Sequence, residues 1–131
     1  MKQHHKSKSL NIIAAEDDQV TATVIKKILE DRHCHVDLFS TGEDLLEHIN
    51  ADYDLVLLDL ELPGMDGFQI VHSIRQKNAD IANLPIVLLT AHQESEILKQ
   101  ARAAGINGFL TKPLSANKCN LLLAEFAGQE E

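Results

Sequence analysis

Cysteine is scarce: Cys34 and Cys119 are the only two in 131 residues. Two unpatterned thiols make neither a disulfide framework nor a zinc motif, and they fit a reducing cytoplasm. Long apolar runs are missing too. None approaches the ~18 residues that a membrane-crossing helix needs, so no membrane insertion is expected. Met1 to Ser9 is polar and basic, with no apolar core after it, and does not read as a secretory signal. Basic residues are outnumbered, 12 Lys and Arg against 20 Asp and Glu, for a net charge of −8. Three of the lysines (Lys2, Lys6 and Lys8) lie in the first nine residues, which hold no acid, so the remainder is more acidic still. Such a body repels nucleic-acid backbones and anionic membranes, and suits a cation or a basic partner surface.

What is present is an ordinary soluble balance, 44 % hydrophobic and 24 % charged, in a length that suits one domain. Residues 1–9 are expected to be a disordered leader, a linker or a tag remnant (His4-His5 suggests the last), residues 10–127 the folded domain, and 128–131 a tail. Short apolar runs alternate with amphipathic stretches. Leu10 to Ala15, Val36 to Phe39, Asp54 to Leu58, Pro85 to Leu89 and Gly108 to Leu110 read as strands. Between and after them, five helices are expected. The first runs from Gln19 to Arg32, with Val20, Val24, Ile25, Ile28 and Leu29 on one face. The second opens at a Ser40-x-x-Glu43 capping box. The third carries Phe68, Val71 and Ile74. The fourth spans Glu94 to Ala104 and stops at Gly105, and the last spans Ser115 to Ala127 with Leu121, Leu122 and Phe126 inward. Alternating strands and helices imply βαβ units and a parallel sheet with helices on both faces. Ligands in such sheets bind beyond the carboxyl ends of the strands.

Those ends carry the chemistry. Glu16, Asp17 and Asp18 follow the first strand, Asp59 the third, Thr90 and Ala91 the fourth, and Thr111, Lys112 and Pro113 the fifth. Carboxylates crowded on one rim stay ionised only beside a compensating cation. Oxygen ligands suit Mg²⁺, which often bridges to phosphate. Asp18 is expected to cap the first helix instead of binding metal. An acid nucleophile, a divalent cation, a lysine and a hydroxyl are the parts needed to transfer a phosphoryl group to a carboxylate. His33-Cys34-His35 invites a metal reading, but neighbours on a strand point to opposite faces and do not converge.

Four motifs resemble the CheY-like receiver domain of bacterial two-component response regulators: Ile13-Ala14-Ala15-Glu16-Asp17-Asp18, Tyr53 to Gly67 (YDLVLLDLELPGMDG), Pro85 to Ala91 (PIVLLTA) and Leu110-Thr111-Lys112-Pro113-Leu114. Each alone is weak to moderate; all four in this order, across nearly the whole chain, are highly specific. The resemblance implies a flavodoxin-like doubly wound (βα)5 fold with strand order 2-1-3-4-5. It implies that Asp59 takes a phosphoryl group from phosphohistidine, with Mg²⁺ (Mn²⁺ can substitute) held by Asp17, Asp59 and the backbone carbonyl of Glu61, and with Glu16 in the outer shell. It further implies that Lys112 pairs with Asp59 and then with the phosphoryl oxygens, and that Thr90 and Ala91 bind the phosphoryl group. Phe109 would be the switch aromatic and Lys112-Pro113 a cis bond. Implied partners are a sensor histidine kinase or a histidine phosphotransfer protein and an output partner of unknown kind. Direct nucleic-acid binding is not expected, and the location is cytoplasmic.

Three features depart from the commonest pattern. Glu16 replaces an aspartate, and Phe109 lacks a tyrosine hydroxyl. Glu61 and His92 occupy positions that tune hydrolysis of the acyl phosphate, and an acid at Glu61 is expected to slow or redirect water attack. Two other readings remain open. A hydrolase of the haloacid dehalogenase type also uses an aspartate after a strand, but wants an acid–base aspartate where Glu61 stands. A degenerate receiver acting as a scaffold would not need the full signature. An FMN carrier fails because the acid cluster would repel the cofactor phosphate.

Overall fold

A computed structural model of the protein describes residues 9–91 and 95–127. The expected leader beyond Ser9, the tail, His92 and the expected helix start at Glu94 lie outside the described residues. The chain runs β1 (Asn11–Ala15), α1 (Gln19–Glu30), β2 (His35–Phe39), α2 (Gly42–His48), β3 (Leu55–Asp59), α3 (Gly67–Arg75), α4 (Ala79–Ala82), β4 (Ile86–Thr90), α5 (Ser95–Ala104), β5 (Gly108–Thr111) and α6 (Ala116–Ala127). All strand pairs are parallel and the order is β2-β1-β3-β4-β5. This is the doubly wound sheet expected from the alternation of apolar runs. Among the described residues, no helix is long and apolar enough to cross a membrane.

The two-residue period of a strand divides the core into two layers. Ile13, Ala15, Val56, Leu58, Ile86 and Leu88 face a cluster completed by Leu45 and Ile49 of α2 and its end, Ile70, Val71 and Ile74 of α3, and Ala101 of α5. Ile12, Ala14, Leu55, Leu57, Val87 and Leu89 face the opposite cluster, with Ile25 and Leu29 of α1 and Cys119 and Leu122 of α6. Leu57 is fully buried in the second layer. Its truncation to alanine would cost roughly 2–5 kcal/mol.

Helix starts follow local hydrogen bonding. Asp18 caps α1, accepting from Thr21 N at 2.8 Å, as expected. The cap of α2 is Thr41, not Ser40: Thr41 is extended (φ −134, ψ 157) and accepts from Asp44 N. Ser40 comes directly after β2, one residue too early. A true capping box opens α3, where Asp66 and Gln69 exchange bonds. Helix α4 was not expected; it has four residues, none buried, and no apolar period to signal it. Gly105 ends α5 at φ +105, a conformation open to glycine. Gly67 packs closely, since a Cβ there would crowd the Leu60 backbone at 3.1 Å.

Three expected core positions are on the surface. Val20 and Leu121 are each 72 % exposed and Val24 is 39 % exposed, because the inward stripes of α1 and α6 centre on Ile25–Leu29 and Cys119–Leu122. Cys34 is buried while His33 and His35 are exposed, so the three side chains diverge.

Candidate functional site

The sheet register gathers the expected residues at its carboxyl edge. Glu16 directly follows β1, and its backbone N–H donates to Phe39 O at 2.9 Å, prolonging the ladder to β2. Asp59 and Thr90 are the last residues of β3 and β4. Thr90 lies in register with Thr111, and the Lys112 N–H donates to Thr90 O at 2.9 Å, which fixes the lysine backbone beside it. Glu16, Asp59 and Thr90 are the buried polar residues among those described, exposed by 3 %, 4 % and 2 %. Three polar side chains buried at one end of an apolar sheet demand partners.

Lys112 supplies much of that demand. Its Nζ lies 3.1 Å from Glu16 Oε1 and 3.1 Å from Asp59 Oδ2. Asp59 Oδ1 accepts from Glu61 N at 3.0 Å, and Glu16 Oε2 accepts from Asp18 N at 3.2 Å. Glu16 Oε1 is shielded from water and meets Lys112 as an ion pair without hydrogen-bond geometry. Burial pushes the Glu16 carboxyl up, Lys112 and the Asp18 amide pull it down, and the Asp59 charge pushes it up again; the net direction is up. Burial pulls the Lys112 ammonium down, but its pairing with the Glu16 and Asp59 carboxylates outweighs that and raises it.

Carboxylate oxygens of Glu16, Asp17 and Asp59 all lie within 4.8 Å of one another. Asp17 is exposed, so the group opens to solvent on that side. Three acids face one ammonium, and the donors are all oxygen. That set fits a hard divalent cation, which would relieve the repulsion Lys112 leaves over.

The remaining expected residues fall around this group. Ala91 is exposed just beyond Thr90, and Glu61 is exposed two residues beyond Asp59. The Lys112–Pro113 peptide is cis. Phe109 on β5 is half-buried, with the Arg102 guanidinium 5.5 Å from its ring centroid. His92 lies outside the described residues. Sequence reasoning passed over Arg102 and also Lys118, whose ammonium bonds to Thr111 and Pro113 on either side of Lys112. The available signal was a lysine in the opening turn of α6, which has no acid there.

A family model described as the response regulator receiver domain matches residues 12–123. The chain belongs to that family. This receiver is 30 % identical over 125 residues to the sensor histidine kinase GacS of Pseudomonas protegens, a match covering 93 % of the chain. The chain spans only 14 % of the length of that kinase. The receiver domain of sensor histidine kinase PA1611 from Pseudomonas aeruginosa, solved with a magnesium ion coordinated in its active site cleft, aligns with a TM-score of 0.81 at 28 % identity. That alignment covers 93 % of this chain and 100 % of the other. Chemotaxis response regulator CheY4 of Vibrio cholerae aligns with a TM-score of 0.83 at 22 % identity, over 91 % and 99 % of the two chains, and shows the shared fold. Receivers are signalling domains, and the function class that accompanies the family is a phosphoacceptor switch, not a dedicated enzyme. The likenesses lend no support to a haloacid dehalogenase-type hydrolase.

Proposed function

We propose that this receiver accepts a phosphoryl group on Asp59 from a phosphohistidine and thereby changes which partner it binds. The observation that carries the reading is the Lys112 ammonium, 3.1 Å from both Glu16 and Asp59 within a cluster of acids. An Asp59 carboxylate oxygen attacks phosphorus, the P–N bond breaks, and its electron pair returns to the imidazole, which takes up a proton. The product is an acyl phosphate. Mg²⁺, or Mn²⁺ in its place, held by Asp17, Asp59 and the Glu61 carbonyl with Glu16 in the outer shell, would supply positive charge for the transferred oxygens. Lys112 holds Asp59 in place before transfer and pairs with a phosphoryl oxygen after it. The Thr90 hydroxyl and the Ala91 backbone bind the same group.

The switch follows from charge. Phosphorylated Asp59 carries additional negative charge and new acceptors into a buried corner. Movement of Thr90 toward them opens space beside Phe109, which repacks without a hydroxyl to re-bond. The face formed by α5, β5 and α6 then differs between the two states. Glu61 slows water attack on the acyl phosphate, and His92 tunes the same step. The donor is a sensor histidine kinase or a histidine phosphotransfer protein, the setting is cytoplasmic, and the functional unit is residues 10–127.

Incubation with acetyl phosphate and Mg²⁺, followed by intact-mass spectrometry, tests this reading. One phosphoryl mass is gained by the native protein, and none by Asp59→Asn or without a divalent cation. An undiminished gain in Asp59→Asn would overturn it. Glu61→Ala sharpens the hydrolysis role: faster loss of the phosphoryl group is expected, and an unchanged rate discards it.

A further inference from the structure

Lys118 stands where helix electrostatics disfavour it. It is the third residue of α6, in a turn that holds no acid, beside the positive end of the helix dipole. An acid there would complement the free amides; an ammonium cannot. Ser115 already serves the helix start, since its Oγ accepts from Lys118 N at 3.2 Å. The ammonium turns back to the preceding loop. It donates to Thr111 O at 2.8 Å, Thr111 Oγ1 at 3.0 Å and Pro113 O at 3.0 Å. These three acceptors match the three protons of a lysine ammonium.

The acceptors belong to the residues immediately before and after Lys112. The Lys112 N–H is itself tied to Thr90 O at 2.9 Å. Its backbone is therefore anchored to β4 through one bond and to α6 through its two neighbours. From that anchor its flexible side chain reaches Glu16 and Asp59, both at 3.1 Å. A long side chain keeps a charged tip in place only if its root is fixed, because each freed torsion multiplies the positions the tip explores. We propose that Lys118 is a positioning residue for phosphoryl transfer, clamping the Thr111–Pro113 segment so that the Lys112 ammonium is held against Asp59. This rests on the phosphoacceptor reading of Asp59.

The test is a double-mutant cycle on the full chain: native protein, Lys118→Met, Lys112→Met and the double variant. The rate of phosphoryl gain from acetyl phosphate and the dissociation constant for Mg²⁺ are measured for each, and circular dichroism shows that each is folded. Methionine keeps the unbranched stem of the Lys118 side chain, one atom shorter, and removes its donors. Should Lys118→Met fail to fold, Lys118→Gln takes its place. The expected result is a rate about tenfold lower in Lys118→Met, in the range a small misplacement costs, with Mg²⁺ affinity within about twofold of native. In the Lys112→Met background, adding Lys118→Met changes the rate by less than about twofold, because the clamp acts through the lysine already removed. A native rate in Lys118→Met, a tenfold loss that persists without Lys112, or a parallel loss of Mg²⁺ affinity would each overturn the positioning role. No phosphoryl gain on the native protein would instead overturn the phosphoacceptor reading, and this inference with it.

Discussion

At the amino ends of β4 and β5, the Arg75 guanidinium donates to backbone carbonyls of Gly105, Ala82 and Leu84 and to Asn107 Oδ1. The Asn107 side chain also accepts from Ile86 N at 2.8 Å, closing the start of β4. Elsewhere in the sheet, just before β3, the Tyr53 hydroxyl donates to Asp37 of β2 at 2.6 Å, with His35 on the other Asp37 oxygen at 3.1 Å. At the carboxyl ends of the same sheet, three acids crowd around Lys112. Both edges hold charge among apolar strands. One matches its cation to neutral acceptors, most of them backbone carbonyls; the other leaves acids in excess of the cation between them. A fold is stabilised by the first arrangement and strained by the second unless a ligand completes it.

Of the effects on the two edges, the largest expected one breaks the amino edge. Arg75→Met strips partners from partly buried carbonyls of three residues and should lower unfolding free energy by about 2–4 kcal/mol. Urea denaturation reads this. Mg²⁺ binding should stay within about twofold of native, since the site lies at the other end of the strands. A stability change under about 0.5 kcal/mol, within the range of ordinary surface substitutions, would show that the edge is not the staple described here.

Glu16→Gln acts on the opposite edge and in the opposite direction. The Glu16 carboxyl is raised in the folded state, chiefly by burial. Its contribution to stability is therefore complete below its ordinary value of 4.5 and is lost as pH rises through the folded value. Without divalent cations at pH 7, Glu16→Gln should raise the urea midpoint and flatten the fall in stability above the ordinary carboxyl value of 4.5, while weakening Mg²⁺ binding. A lower midpoint at pH 7 would mean that the ion pair with Lys112 outweighs burial.

The lone tyrosine permits a clean spectroscopic measurement, as the chain has no tryptophan. Burial first, and then the bond to Asp37, push the Tyr53 phenol from 10.0 up to about 12. Stability from this group is present below pH 10 and declines as pH rises toward 12. Phenolate absorbance should titrate near the raised value, and Asp37→Asn should bring it part of the way back. An unaltered midpoint in Asp37→Asn would leave burial as the whole cause.

Arg102→Gln should have the smallest effect. An exposed cation–π contact contributes about 0.5–1 kcal/mol, so thermal unfolding should fall slightly with no loss of Mg²⁺ affinity. A loss above about 2 kcal/mol would point to contacts beyond the Phe109 ring.

The contrast between the edges also shows what the sequence could reveal. Strand positions were legible because runs such as LVLL and IVLL are buried on both faces and stand out by composition. The carboxyl-edge residues were legible because they directly follow those runs, and the register brings Glu16, Asp59, Thr90 and Lys112 together. The amino-edge clamp was not, since Arg75 looks like any basic residue in the last turn of a helix and all but one of its acceptors are backbone atoms without sequence identity. Lys118 gave only the signal of a basic residue in an opening helical turn, and the sequence does not say which atoms it turns back to. The Thr41 cap was misplaced by one residue because serine and threonine adjoin, and only backbone dihedrals choose between them. Val20, Val24 and Leu121 were misplaced because apolar residues at the margin of a helical stripe are exposed whenever no neighbour covers that margin.

The account turns on which side chain carries the phosphoryl group. Borohydride reduces an aspartyl phosphate to homoserine and leaves free carboxylates intact, so peptide mapping after treatment with acetyl phosphate and Mg²⁺ locates it. Homoserine at position 59 and nowhere else is the predicted result; homoserine at position 17, or phosphate retained on a histidine, would contradict it.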